Sequence, residues 1–118
     1  MTIIKLNLSG HQNVALEELG FEFPGAMHVD LGDKDLPIKV ENFLKGKFGS
    51  EDIVHVALPG LAPLAAIVIS IIHGKTGSFP VIQPLVRGES GFSPGPTLDL
   101  QEVRNEVGRR SRRDLVEI

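Results

Sequence analysis

Ile4, Leu6 and Leu8 alternate with Lys5, Asn7 and Ser9, a period of two that predicts an opening strand with one buried face. Ser9-Gly10-His11-Gln12-Asn13 breaks that rhythm. Val14, Ala15, Leu16 and Leu19 then recur at helical spacing, with Asn13 placed as an N-cap and Gly20 as a C-cap. Met27 to Leu31 follows the Pro24-Gly25 turn as a second strand. Ile38, Phe43, Leu44 and Phe48 mark an amphipathic helix from near Pro37 that Gly49-Ser50 ends.

Ile53 to Leu58 is apolar except for His55, the pattern of a central strand covered on both faces. Pro59-Gly60 turns the chain into Leu61 to Ile72, apolar on every side except Ser70, which predicts a helix covered by more than one neighbour: a sheet plus either another helix or a second copy of the chain, the latter favoured in a chain this small. Pro63 suits its first turn and Gly74 its stop. Phe79 to Val86 reads as a fourth strand, pushed by Pro84 to an edge or bulged position because proline donates no ladder bond. Gly88 to Pro96 reads as a Gly/Ser/Pro-rich loop. Leu98, Leu100, Val103 and Val107 mark a short extension and a helix, with Asp99 and Glu102 spaced as a capping box.

Strands alternating with helices predict an α/β fold, a small Rossmann-like or flavodoxin-like parallel sheet of about four strands with right-handed crossovers. Ligands of such sheets bind outside the carboxyl ends of the strands, where strand order reverses. Three loops are expected there: Ser9 to Asn13, Leu58 to Ala62, and Val86 to Ser90.

Composition narrows what that edge holds. The chain has 118 residues, the length of one domain, with 42% hydrophobic and 23% charged residues, ordinary for a globular protein. A net charge of −3 argues against sequence-independent binding of long nucleic acid, which needs basic surface, and leaves room for a small phosphorylated ligand. The absence of cysteine excludes disulfides, thiolate nucleophiles and Cys-ligated metals, and fits a cytoplasmic protein. The opening lacks the charged and apolar regions of a signal peptide, and Leu61 to Ile72 would span only about 18 Å as a helix, too short for a bilayer.

Of four histidines only His11 falls at the predicted ligand edge, and their scatter makes no metal site. Gly10 allows close backbone approach, while Ser9, His11, Gln12 and Asn13 offer donors and acceptors, though turns favour the same residues. Pro59, Gly60, Leu61 and Ala62 precede or open a helix whose free N–H groups and positive dipole end favour phosphate. Arg87 lies at the far end of the fourth strand. Gly74-Lys75-Thr76 resembles the end of a P-loop but closes a helix where a P-loop opens one. Arg109, Arg110, Arg112 and Arg113 most simply complement a helix C-terminus. No serine elbow or paired carboxylates with a nearby histidine appear, so no catalytic residue, metal or cofactor is assigned.

The segment Leu58-Pro-Gly-Leu-Ala-Pro-Leu-Ala-Ala66, continuing through His73-Gly-Lys-Thr-Gly-Ser-Phe-Pro80 and Leu100-Gln-Glu-Val-Arg104, resembles a family of small CRISPR-associated proteins encoded beside type III systems. The likeness is strongest over residues 54–107, and Asn7 to His11 is similar to the family's opening strand and polar loop. The resemblance implies a dimeric fold like the CARF sensor domains, which bind cyclic oligoadenylate messengers. Carried over by position, Ser9 to Gln12 and Pro59 to Ala62 would line the ring, whose rotational symmetry a two-fold dimer matches. With no room for an output domain, the expected role is to sequester cyclic tetra-adenylate and damp antiviral signalling. The alternative is a metal-independent ring nuclease using 2′-hydroxyl attack. Ligand bridging two dimers is left open.

Overall fold

The computed structural model describes residues 2–11, 21–22, 29–89 and 91–116. The predicted helix over Val14 to Leu19 with its caps, and Met27 and His28, lie outside them. The described elements are strands β1 (Ile3–Asn7) and β2 (Phe21–Glu22), helix α1 (Leu36–Leu44), strand β3 (Ile53–Ala57) and helix α2 (Ala62–Thr76). Strands β4 (Val81–Ile82), β5 (Leu85–Gly88), β6 (Gly91–Pro94) and β7 (Leu98–Asp99) follow, then helix α3 (Leu100–Val116). The chain is mixed α/β.

Its main sheet has the order β2-β1-β3-β4-β7, parallel from β2 to β4, with β7 antiparallel at the end. β1 and β3 pair along their full length, from Ile3 against Ile53 to Asn7 against Ala57. One face presents Leu6, Val54, Val56 and Ile82 to Leu36, Val40 and Leu44 of α1 and Leu64, Val68 and Ile72 of α2, which together form the core. The period-two alternation of the strands meets helical stripes spaced by four residues, so each element buries one continuous apolar row.

Several expectations are corrected. A strand lies at Phe21–Glu22, and of the strand expected over Met27 to Leu31 the described part, Val29 to Leu31, lies in no strand. There the Asp30 carboxylate accepts the Gly32 N–H at 2.8 Å, and its carbonyl accepts the Asp33 N–H at 3.1 Å, so a side-chain-capped turn replaces extended chain. α1 buries Leu36, Val40 and Leu44, leaving Ile38 62% exposed, and stops before Gly46, whose φ of +80° leaves the helix; Phe48 packs on the core from beyond it.

α2 runs through Gly74 and ends at Gly77, which takes the left-handed C-cap at φ 78° and donates its N–H to the His73 carbonyl. Of its exposed positions, Ala62, Ala66, Ser70 and Gly74 recur every fourth residue, with Pro63 and Lys75 also exposed at its two ends, while Ile67, Ile69 and Ile71 are half-buried against the core. The largest side chains of this apolar helix are therefore partly covered within one chain. β4 is flanked by β3 and β7, so it is not an edge strand. Pro84 acts differently: Gln83 still donates to the Val56 carbonyl at 2.8 Å, the ladder stops at the imino nitrogen, and the chain leaves the sheet. The segment expected as a loop over Gly88 to Pro96 forms the β5–β6 hairpin, with Arg87 paired to Phe92 and Gly88 to Gly91. At α3 the Asp99 carboxylate accepts the Glu102 N–H at 3.1 Å, the N-cap bond that the Asp99/Glu102 spacing predicts.

Candidate functional site

The strand order reverses between β1 and β3. From β1 the chain proceeds to β2 on one side, and from β3 through α2 to β4 on the other. Their carboxyl ends therefore diverge and leave a crevice. A cavity of about 220 Å³ opens there, lined by Ser9, His11, Leu58, Gly60, Gln83 and Phe92 among others. Its lining mixes apolar Leu58, Ile82, Leu85 and Phe92 with polar Ser9, His11 and the buried Gln83, the usual composition of a small-ligand site.

Asn7 shapes the first wall. It closes β1 at 1% exposure, a buried amide that must find partners. Its Oδ1 accepts the Ser9 hydroxyl at 2.6 Å and the Ser9 N–H at 3.2 Å, and its Nδ2 donates to the His11 carbonyl at 3.1 Å. The Ser9 hydroxyl oxygen in turn accepts the His11 N–H at 3.1 Å. Gly10 joins the two at φ 79°, a backbone setting that side chains resist. The loop is thus held from below, with the His11 ring at the rim.

The second wall is the turn into α2. Pro59 is buried, Gly60 and Ala62 are exposed, and Leu61, at the N-cap in extended conformation, accepts the first helical bond from the Ala65 N–H at 2.9 Å. First-turn N–H groups have no partner within the helix and point out of its end. A Cβ at Gly60 would meet nothing within 4 Å, and its φ is not positive, so a side chain there would not strain the turn.

The third wall comes from the hairpin. Phe92 stacks on His11 with ring centroids 4.1 Å apart and planes 26° from parallel, joining β6 to the loop after β1. Arg87 is exposed and lies opposite Phe92 in the register, beside the cavity rather than in its lining. Of the residues singled out from sequence, the structure brings Ser9, His11 and Gly60 to the cavity itself, with Gly10, Pro59, Leu61 and Ala62 in its adjoining turns. Gln12, Asn13 and Ser90 lie outside the described residues.

Phe92, Gln83 and Asn7 are the residues that the sequence pattern does not single out. Phe92 is hidden in a segment whose glycines and prolines read as loop. The signal that could find it is the spacing of Gly88 and Gly91 around a two-residue connection, a hairpin turn, where Gly91 takes φ 109°. Arg109 pairs with Glu106, Arg110 donates to the Glu106 carbonyl and Arg112 to the Gly108 carbonyl, so these three guanidinium groups serve their own helix and do not line the cavity.

A larger cavity, about 530 Å³, lies at the opposite end of the strands, between Ser50 to Val54 and Thr76 to Pro80. Its rim carries the carboxylates of Glu51 and Asp52, the latter accepting the Gly49 N–H at 2.7 Å, which disfavours an anion. Among the described residues no three His, Asp or Glu side chains gather to hold a metal, and no helix is long and apolar enough to cross a membrane.

Fold and site define a mixed α/β chain with a switch-point cavity bounded by a polar loop, a helix N-terminus and an aromatic ring. No protein-family model, curated protein or solved structure matches the chain.

Proposed function

We propose that the chain binds a cyclic oligoadenylate, cyclic tetra-adenylate foremost, in the switch-point cavity, and holds it out of solution so that type III CRISPR antiviral signalling is damped. On this reading the fold is a CARF-like variant. The observation that carries it is the convergence at one crevice of the His11 imidazole, held in place through Ser9, of Gly60 at the entry to α2, and of the Phe92 ring: a polar ring, a helix N-terminus beside the cavity suited to phosphate and an aromatic ring suited to a base. The family likeness supplies the ligand class, and this geometry supplies the chemistry that the ligand needs.

A cavity of about 220 Å³ is smaller than the roughly 300–1,000 Å³ of a complete small-molecule pocket. One protomer receives one part of the ring, and a two-fold partner receives the rest. The exposed Ala62, Ala66, Ser70 and Gly74 row of α2 gives a second copy a surface without bulky side chains to pack against. Mass measurement in solution should give a homodimer at micromolar concentration; a monodisperse monomer overturns the shared site.

Titration with cyclic tri-, tetra- and hexa-adenylate, followed by resolution of the products after incubation with excess ligand, tests the function. Saturable binding of cyclic tetra-adenylate with the ring recovered intact is expected. Multiple turnover to linear di-adenylate would replace sequestration by ring cleavage. In that case a ribose 2′-hydroxyl attacks its neighbouring phosphate, the P–O5′ bond breaks to leave a 2′,3′-cyclic phosphate, and His11 moves the proton from the 2′-hydroxyl toward the departing 5′-oxygen. Absence of binding to every ring would overturn the reading.

A further inference from the structure

The β5–β6 hairpin is a sheet of its own: its strands pair with each other and not with the main sheet. It is anchored at its base, where the Gly95 N–H donates to the Pro84 carbonyl at 2.8 Å and the Gln83 side chain donates to the carbonyls of Gly95 at 2.8 Å and Pro84 at 3.1 Å. Pro84 and Gly95 thus form a narrow stem. Beyond it the hairpin leans on the loop after β1 through Phe92 against His11.

We propose that Phe92 is the base-stacking platform of this site, and that the hairpin swings outward about its stem to admit a purine between Phe92 and His11. The proposal rests on the nucleotide reading above and deepens it. The two rings now lie 4.1 Å apart, a distance that leaves no space for a third ring. A base with an aromatic ring on each side needs about 7 Å, two contacts of ~3.5 Å. The hairpin must therefore open by about 3 Å at its Phe92 end. The hairpin has no ladder to the main sheet to break, so the movement keeps the three stem hydrogen bonds, swings the far end and gives up the Phe92–His11 stack. In the closed form His11 occupies the base's place, so the aromatic face stays out of water until ligand arrives.

Arg87 gives the movement a second consequence. It is paired to Phe92 across the hairpin, so its side chain is on the same face and travels with the platform. A base held by Phe92 brings its own phosphate within reach of this guanidinium, which explains how Arg87 can serve the site without lining the closed cavity.

The test uses the full chain with cyclic tetra-adenylate. The protein has no tryptophan, so F92W introduces a single fluorescent reporter at the platform. F92W keeps an aromatic face at the platform and should still bind saturably, with its indole emission quenched at saturation. F92A should bind roughly five- to hundredfold more weakly, the usual range for losing one stacked base. R87A should weaken binding with a steeper loss at low salt than at high salt. Thermal melts accompany each variant, and if F92A does not fold the quenching of F92W decides. Parent binding with unchanged affinity in folded F92A, or with unquenched emission in saturated F92W, overturns the platform and leaves the nucleotide reading standing. No binding by the parent overturns both.

Discussion

Asn7 and Ser9 lock the loop that follows β1: one buried amide oxygen accepts both the hydroxyl at 2.6 Å and the backbone N–H at 3.2 Å of the residue two positions on. Together with the bond from Asn7 Nδ2 to the His11 carbonyl, this fixes where the His11 ring emerges. Asn7→Leu keeps the volume of the side chain and removes all three bonds, leaving polar backbone groups without partners. It should cost about 2–4 kcal/mol in denaturant unfolding and weaken ligand binding in the fraction that remains folded. Unchanged stability would show that water replaces the amide.

Gly60 is open rather than strained, so its substitution separates binding from folding. Gly60→Val should keep the parent melt, because its Cβ meets nothing within 4 Å, while the branched side chain obstructs the N-terminal turn of α2. Cyclic tetra-adenylate affinity should fall by more than ~2 kcal/mol, the scale of one or two charge-assisted hydrogen bonds. Lys75→Ala, in the last turn of the same helix, should bind normally. The reverse result would move the ligand to the other end of the strands.

His55 lies between Lys5 and Val81 in the sheet register, and burial, then the Lys5 charge, hold its pKa below the ordinary value, with Asp99 opposing. A depressed histidine pKa means that the unfolded chain binds more protons than the native chain between the two pKa values. Stability therefore declines as pH falls below about 6.5, and levels off beneath the native pKa. His55→Gln should flatten that slope. Lys5→Gln should raise the His55 pKa, read directly by NMR titration of the ring; no movement would show that burial alone sets it.

Two glycines of α2 should respond in opposite directions. Gly77 holds the left-handed cap at φ 78°, so Gly77→Ala should destabilise by ~1 kcal/mol or more. Gly74 is inside the helix with nothing within 4 Å of an added Cβ, so Gly74→Ala should stabilise by up to ~1 kcal/mol. Thermal melts of the two variants check the sign of each.

The sequence determined the elements whose periodicity is local. Ile4, Leu6 and Leu8 define β1 and one face of it; the apolar run around Val54 and Val56 defines β3; Pro63 sets the start of α2; Asp99 caps α3. Alternating strands and helices also gave the parallel part of the sheet, from β2 to β4, and with it the edge where Ser9, His11 and Gly60 meet. Only the tertiary structure decided what depends on contacts between distant parts of the chain. Both Gly74 and Gly77 can end a helix, and α2 runs past the first to cap at the second, where the His73 ring stacks on Phe79. Pro84 can bulge a strand or end it, and the place of β7 beside β4 leaves the chain after Gln83 to form its own hairpin. That hairpin carries Phe92 back to His11, a pairing that no local pattern encodes, because stacking depends on where two rings arrive in space and not on what surrounds either of them in the chain.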